Sequence, residues 1–568
     1  MAGGRTRWLL ALGCTTALLA TACTAAPPVP GPQPTTAMTT PPAGPDQIVI
    51  GVDAISGGYN PHTVADQSPV TRALAQLLLP SVFVPGDDAR LELDRTVMRS
   101  ARVTSAHPFT VSYTIRPDAS WSDGAPIAAE DFIYLAEEMR TEPGTLDPAG
   151  YRLISDISAD DAGKRVQVRF RERYPGWRTL FHHLLPSHLL KDVPGGWQGA
   201  LASSFPAYGG PFAIGTVDTA RGEILLERNE RYWEKPAAVD QLILRRSDSR
   251  GVIAALGEDN NQFALIMASG RDQAALRRLG DGLTLHTVSS PVVAEVLLRP
   301  LTAPLANATV RAGVAALIDR DRLIAAGTDG GPSSQLRAGA QLTAPSEPGY
   351  AATIPAAERA PRPALAGRLL RQAGYHKTAA GWRPEQGGRL RLVVAAPAEQ
   401  QPYDAMAREL VRQLRSAGIA ATVALLKPRA LFGTDPDDLD AADRAGGVGA
   451  DIVLAPRPVG PDPASAFASR FACRKRDGGE NSSAGPGNIS GYCDERLNRF
   501  GRAVLTGDRT FADVRGEAES ALWRANVTIP LFQLADTLAV TDAVSGVTPG
   551  PGPAGPFGNA VDWIRVDR

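Results

Sequence analysis

Two periodicities alternate along this chain, and their order predicts an α/β protein. Residues 111–116 (VSYTIR) put Val111, Tyr113 and Ile115 on one face and polar side chains on the other, the period of a half-buried strand. Residues 47–54, 91–94, 223–227, 241–245, 390–397, 451–456 and 526–540 carry apolar runs that also predict strands, with a return to strand character in 559–566. Residues 151–170 predict strand, Asp/Gly turn, strand. Between these segments the spacing becomes helical. A short helix is expected within 68–83 and another over 128–140, where Phe132, Leu135 and Met139 share a face behind Pro126. Two further helices are expected within 307–327, one in 365–375 stopped by Gly374, and one near 515–524; 405–427 predicts a helix, a stop at Gly418 and a strand. Strand-helix-strand-strand spacing over 390–456 calls for some parallel pairing. An exported chain alternating in this way without repeats implies two lobes around a cleft.

The N-terminus departs from the pattern. Residues 1–22 combine Arg5 and Arg7 with an uncharged apolar run and small residues before Cys23, which predicts an export signal too short for a stable membrane span. Leu19-Ala20-Thr21-Ala22-Cys23 resembles a bacterial lipobox, making Cys23 the expected diacylglyceryl acceptor and the mature N-terminus. Ordinary cleavage near Ala22 is the alternative. Residues 23–46 are rich in Pro, Thr and Ala and contain nothing that builds a core, so they predict an extended tether. Cys14 leaves with the signal, and Cys473 and Cys493 are the only pair left in the mature body. Outside the cytosol such a pair more often forms a disulfide than a metal site. A bridge across this Gly/Ser/Asn-rich segment would lower the entropy of the unfolded chain by about 3 kcal/mol. Two separately buried thiols are the other reading.

Composition narrows the function. With 59 basic and 60 acidic residues and 43% hydrophobic residues, the chain is a folded body with no electrostatic case for nucleic acid. Removing the leader takes two arginines and no acid, leaving a mildly acidic body. No GxSxG elbow, Walker loop, fold-opening GxGxxG or SxxK-plus-KTG set is apparent. His182, His183 and His188 cluster in 179–190, but Pro186 interrupts the run, adjacent positions point to different sides of a helix, and no HExxH occurs. They are expected to be structural, with no metal and no cofactor. Glu137–Glu138 and the trio Asp435, Asp437 and Asp438 are explained as solvated faces and turns, since glycosidase chemistry needs two carboxylates facing one cleft. An extracytoplasmic binding function, not an enzyme, is expected.

Residues 111–132 (VSYTIRPDASWSDGAPIAAEDF) resemble the family 5 extracellular solute-binding proteins of the oligopeptide/dipeptide/nickel type, in which a strand and Arg precede Trp-Ser-Asp-Gly-x-Pro and an acid-started helix. YGGPFAI (208–214), LLERNERYW (225–233) ahead of AVDQLILR, VRAGVAALIDRDRLI (310–324), LLRQAGY (369–375) and PDP (461–463) follow in the family's order, covering nearly the whole chain from residue 47. The resemblance implies a two-lobed periplasmic-binding-protein-like fold, type II, with the three-part oligopeptide-binding layout and an interlobe cleft. Lobe one would comprise 47–97, 200–285 and 527–568, with 98–199 an inserted subdomain, and lobe two 286–526. Trp121, Asp123, Gly124, Pro126, Asn229, Tyr232 and Trp233 are expected to be structural. Gly210 stands where the family has a threonine, Phe212 where it has a tyrosine, and LAPRPVG replaces its Trp-rich approach to PDP. These departures put peptide binding in doubt.

The signal, the GGYNPHTVAD opening and the cysteine loop resemble, more narrowly, actinobacterial lipoproteins associated with the branch between polar phosphatidylinositol mannosides and lipomannan/lipoarabinomannan. That resemblance alone implies a glycolipid ligand, monoacyl phosphatidylinositol tetramannoside, regulation of lipoarabinomannan biosynthesis, and a membrane mannosyltransferase as partner. The wider family implies an ABC-transporter substrate-binding lipoprotein for oligopeptides or another small solute, with a permease partner. A scaffold with a collapsed cleft is a third reading. Sugar CH faces stack on aromatic rings and sugar hydroxyls need paired donors and acceptors. The candidate ligand contacts are therefore Tyr59, Asn60 and His62 in the first turn, Tyr208 at the crossover, and Arg457 with Asp462 from lobe two. The protein is expected as a monomer on the extracytoplasmic face of the cell membrane.

Overall fold

Ten strands form one mixed sheet in the order Ala420–Leu426, Arg391–Pro397, Ile452–Pro458, Leu283–Leu298, Thr528–Thr541, Phe263–Ile266, Gln47–Val52, Gln241–Arg246, Glu223–Arg228, Phe212–Asp218. This computed structural model describes residues 46–568 apart from 56–57, 87, 89, 302, 434–448, 476–481, 552–553 and 567–568. The expected signal, Cys23, the tether up to residue 45 and the trio Asp435, Asp437 and Asp438 lie outside the described residues.

Pairing is parallel within two groups of three strands, antiparallel between them at the centre of the sheet, and antiparallel again at the end formed by Gln241–Arg246, Glu223–Arg228 and Phe212–Asp218. Gln47–Val52 runs parallel to Gln241–Arg246 and Phe263–Ile266, and Arg391–Pro397 parallel to Ala420–Leu426 and Ile452–Pro458. Between the parallel groups lie two long strands of 16 and 14 residues, Leu283–Leu298 and Thr528–Thr541, antiparallel to each other and to their outer neighbours. Their length lets them serve two cores. Along Thr528–Thr541, Phe532 and Leu534 pack in one hydrophobic cluster, and Leu538 and Val540 in another. Along Leu283–Leu298, Val288 belongs to the latter cluster and Val292 and Ala294 to the former.

A separate four-stranded antiparallel sheet, ordered Met98–Ala106, Phe109–Ile115, Arg165–Phe170, Ile154–Asp160, shares the core that holds Leu538. Helix Ala129–Thr141 covers it with Phe132, Leu135 and Met139 buried, as the helical spacing predicts. The Trp-Ser-Asp-Gly motif is the joint ahead of this helix. Gly124 takes φ +93°, the buried Trp121 donates its indole N–H to Asp131 Oδ2 at 3.1 Å, and Asp131 Oδ1 accepts from the Ser187 N–H and hydroxyl at 2.9 and 2.8 Å. Gly210 is set by packing. A Cβ there would lie 2.3 Å from the Leu77 carbonyl oxygen, closer than any side chain tolerates.

One segment is locally irregular and one differs from the sequence-based expectation. Residues 181–186, which end at the interrupting Pro186, are not helical: Phe181 and His183 take positive φ, and only the short helices Trp177–Thr179 and Ser187–Leu190 flank them. Burial explains this, because Phe181, Leu184 and Leu185 sink into the core while the His183 N–H is satisfied by Ser81 Oγ at 2.8 Å. At the C-terminus, Pro556–Asp562 is a 3-10 helix and only Ile564–Arg565 is strand. The buried Trp563 meets Phe263 edge-on at 5.1 Å, which fixes the chain end against the sheet. Cys473 and Cys493 form a disulfide, with Cα atoms 5.4 Å apart.

Candidate functional site

Chains leave a parallel sheet at its C-terminal edge, and polar groups delivered there meet at the seam between cores. Strand Gln47–Val52 ends at Asp53 and Phe263–Ile266 at Met267, and Asp53 Oδ2 accepts the Met267 N–H at 2.7 Å. Burial raises the Asp53 carboxyl above its usual range, with backbone N–H groups opposing it. Between Leu534 of one core and Leu538 of the other stands Asp536, 3% exposed. Among the described residues its carboxylate has a single ion-pair partner, Arg72 Nη2 at 3.7 Å, and the pair makes no side-chain hydrogen bond. Desolvation pushes Asp536 up to about 7, with Arg72 opposing and Asp53 adding to the rise. Arg72 sits in helix Pro69–Leu78, whose first turn is set by Pro69 and capped by Ser68 Oγ accepting the Thr71 N–H at 2.9 Å.

Tyr59, Asn60 and His62 lie together in the turn ahead of that helix, all three buried. Asn60 Oδ1 accepts the His62 N–H at 3.0 Å, and the Asn60 N–H donates to Asp66 Oδ2 at 3.1 Å. The His62 ring stacks on Trp197 at 5.9 Å, and its Nε2 is 2.9 Å from the His183 carbonyl oxygen. Desolvation, with His182 nearby, lowers His62 to about 3, so the ring is neutral. Asp66 carries the turn to a distant helix, Pro428–Phe432, where Arg429 donates Nε and Nη2 to its two oxygens at 3.0 and 2.6 Å.

The other candidates lie apart from this turn. Tyr208 is half-buried, its N–H donating to Ser122 Oγ at 3.0 Å and its hydroxyl to the Ile214 carbonyl at 3.5 Å. Arg457, 3% exposed, is 3.8 Å from Glu295 and donates to the Thr343 carbonyl at 3.1 Å. The same Glu295 takes Arg470 on both oxygens at 3.2 and 3.0 Å. Asp462 Oδ1 caps helix Pro463–Arg470 by accepting from the Ala464 and Ser465 N–H groups, while Oδ2 accepts the Tyr174 hydroxyl at 2.7 Å. Asp53, Arg72 and Asp536 escaped sequence reasoning. The available signal was the strand 526–540, whose apolar face Phe532, Leu534, Leu538 and Val540 is broken at one position by a carboxylate.

Comparison with known proteins adds to this geometry. The family of bacterial extracellular solute-binding proteins, family 5 Middle, matches residues 99–466. The chain is 34% identical, over 99% of its length and 98% of the relative's, to the Mycobacterium tuberculosis (strain ATCC 25618 / H37Rv) "Probable monoacyl phosphatidylinositol tetramannoside-binding protein LpqW". It resembles the solved periplasmic EDTA-binding protein EppA, with TM-score 0.71, 23% identity and coverage of 95% of this chain and 100% of that one. It also resembles the oligopeptide-binding protein AppA from Bacillus subtilis in complex with a nonapeptide, with TM-score 0.73, 14% identity and coverage of 92% and 99%. The fold is that of the two-lobed periplasmic binding proteins of oligopeptide-binding type.

Proposed function

The chain belongs to the family 5 bacterial extracellular solute-binding proteins, and from that membership we propose a lipid-anchored protein that holds a phosphatidylinositol mannoside headgroup between its lobes. In this reading Cys23 carries the anchor on the extracytoplasmic face of the cell membrane, and the bound glycolipid couples the protein to lipomannan/lipoarabinomannan biosynthesis. Two or more acyl chains on one cysteine provide durable attachment. No helix among the described residues is long and apolar enough to cross a membrane. Lobe one comprises 47–97, 200–285 and 527–568 with 98–199 inserted, and lobe two 286–526. The half-buried Tyr208 offers a ring and hydroxyl to the ligand. Tyr59, Asn60, His62, Arg457 and Asp462 support the walls, with Asn60 Nδ2, His62 Nδ1 and Arg457 Nε buried without a hydrogen-bond partner among the described residues.

The observation that carries the reading is the end-to-end likeness to the relative named "Probable monoacyl phosphatidylinositol tetramannoside-binding protein LpqW", which spans both cores and the strands joining them. A peptide ligand delivered to an ABC permease is the second reading, favoured by the nonapeptide held in the same fold by AppA. Mass spectrometry of ligand co-purified with the protein from its own envelope separates the two. Recovered acylated mannosides are expected, and an oligopeptide series would overturn the assignment.

A further inference from the structure

We propose that Arg72 and Asp536, with Asp53 beside them, form a hydrogen-bonding subsite for neighbouring hydroxyls of a sugar ring at the floor of the interlobe cleft. The inference rests on the mannoside reading and names the residues that would recognise it. Three observations carry it. The first is position: on the face Phe532, Leu534, Asp536, Leu538 and Val540, the carboxylate occupies the one place between the two cores. On the paired strand Leu283–Leu298, Val288 stands opposite Asp536, and the buried Ser290 lies two residues on, in the register shift between Ser289 and Val293 where that strand passes from one core to the other.

The second observation is the missing hydrogen bonds. The Asp536 side chain is 4% exposed and that of Arg72 20%, yet at 3.7 Å they are ion-paired without a hydrogen bond, and among the described residues neither side chain donates to or accepts from another group. A buried carboxylate and a partly buried guanidinium in this state carry hydrogen-bonding capacity that no described residue meets and that a bound group would satisfy. The third is the charge of the surroundings. An anionic ligand reaching Arg72 would meet the carboxylates of Asp53 and Asp536, and an ammonium at Asp536 would leave the guanidinium donors unmatched. A neutral group with donors and acceptors side by side answers both: one hydroxyl donates to an Asp536 oxygen while its neighbour accepts from an Arg72 N–H.

Calorimetric titration of the full chain with a soluble α-linked mannose tetrasaccharide, alongside a tetraalanine peptide, tests this. Asp536→Asn, Arg72→Gln and the double variant are each expected to bind the tetrasaccharide ten- to a hundredfold more weakly. The double variant, which removes both charges together, should melt no lower than the parent without ligand. Unchanged tetrasaccharide affinity in Asp536→Asn would overturn the subsite while leaving the glycolipid reading standing. A parent chain that titrates the peptide and not the tetrasaccharide would overturn both. If Asp536→Asn fails to fold, Arg72→Gln and the double variant carry the measurement, and wild-type affinity in either would overturn the subsite.

Discussion

Two ion pairs join residues far apart in this chain, and they are built differently. Asp66 and Arg429 meet through two hydrogen bonds of 3.0 and 2.6 Å; Asp66 also accepts the Asn60 N–H, and Arg429 also donates to the Leu201 carbonyl at 3.2 Å. Arg72 and Asp536 stand 3.7 Å apart with no other described residue bonded to either side chain. Both carboxylates are nearly inaccessible, at 1% and 4% exposure, so burial does not separate them. What separates them is saturation. A buried charge that only holds structure is surrounded by partners until its desolvation is offset, and the first pair is so surrounded. The second retains the capacity that a ligand would fill.

The largest expected effect breaks the saturated pair. Arg429→Met leaves Asp66 buried with a backbone N–H and no counter-charge, and should cost about 3–5 kcal/mol in equilibrium urea unfolding. A loss below about 1 kcal/mol, the range of exposed pairs, would remove the distinction between the two regions.

Asp536→Asn should behave in the opposite sense. It removes a carboxyl whose charged form burial disfavours, while Arg72, with 20% of its side chain exposed, keeps access to water when its counter-charge is lost, so the ligand-free protein should be more stable than the parent at pH 8. The pH dependence has a definite sign. The folded-state carboxyl lies near 7 against an ordinary 3.8, so between these values the folded chain binds the proton more tightly than the unfolded one. Stability from this group is therefore full below 3.8 and falls as pH rises to about 7. The advantage of Asp536→Asn should shrink steadily as melting curves are taken from pH 8 down to pH 5. A constant or growing advantage would mean that the carboxyl is not held protonated by burial.

Much of the scaffold is legible in the amino-acid sequence. The helix behind Pro126, the Gly418 stop and the long strand at 526–540 follow from local periodicity, and the Trp-Ser-Asp-Gly joint from its motif. The site is less legible because it is assembled across the chain. Arg429 lies 363 residues from Asp66, and no local pattern relates them. Asp53 gains its partner from Met267, beyond the end of another strand. The residues drawn from the first turn, Tyr59, Asn60 and His62, have the chemistry expected of ligand contacts, yet all three are buried, with Asn60 bonded to His62 and Asp66 and the Tyr59 ring against Phe205. The exception is Asp536, whose interruption of a period-two apolar face is visible in the letters alone.

Ser290 provides the smallest and sharpest measurement. It is the polar break on the other long strand, buried between Val288 and Val292, and its carbonyl already accepts from Gln533 Nε2 at 2.9 Å. That backbone bond survives substitution, so Ser290→Ala should change the urea unfolding free energy by no more than about 0.5 kcal/mol. If the seam as a whole recognises hydroxyls, losing this one should weaken tetrasaccharide binding by about 0.5–1.5 kcal/mol, the worth of a single neutral hydrogen bond. That is less than the charged pair should contribute, because hydrogen bonds to charged groups are worth about 1.5–3 kcal/mol. An unchanged affinity would confine recognition to Arg72 and Asp536. A loss exceeding that of Asp536→Asn would move the centre of the subsite to Leu283–Leu298 and make the unsaturated pair its edge.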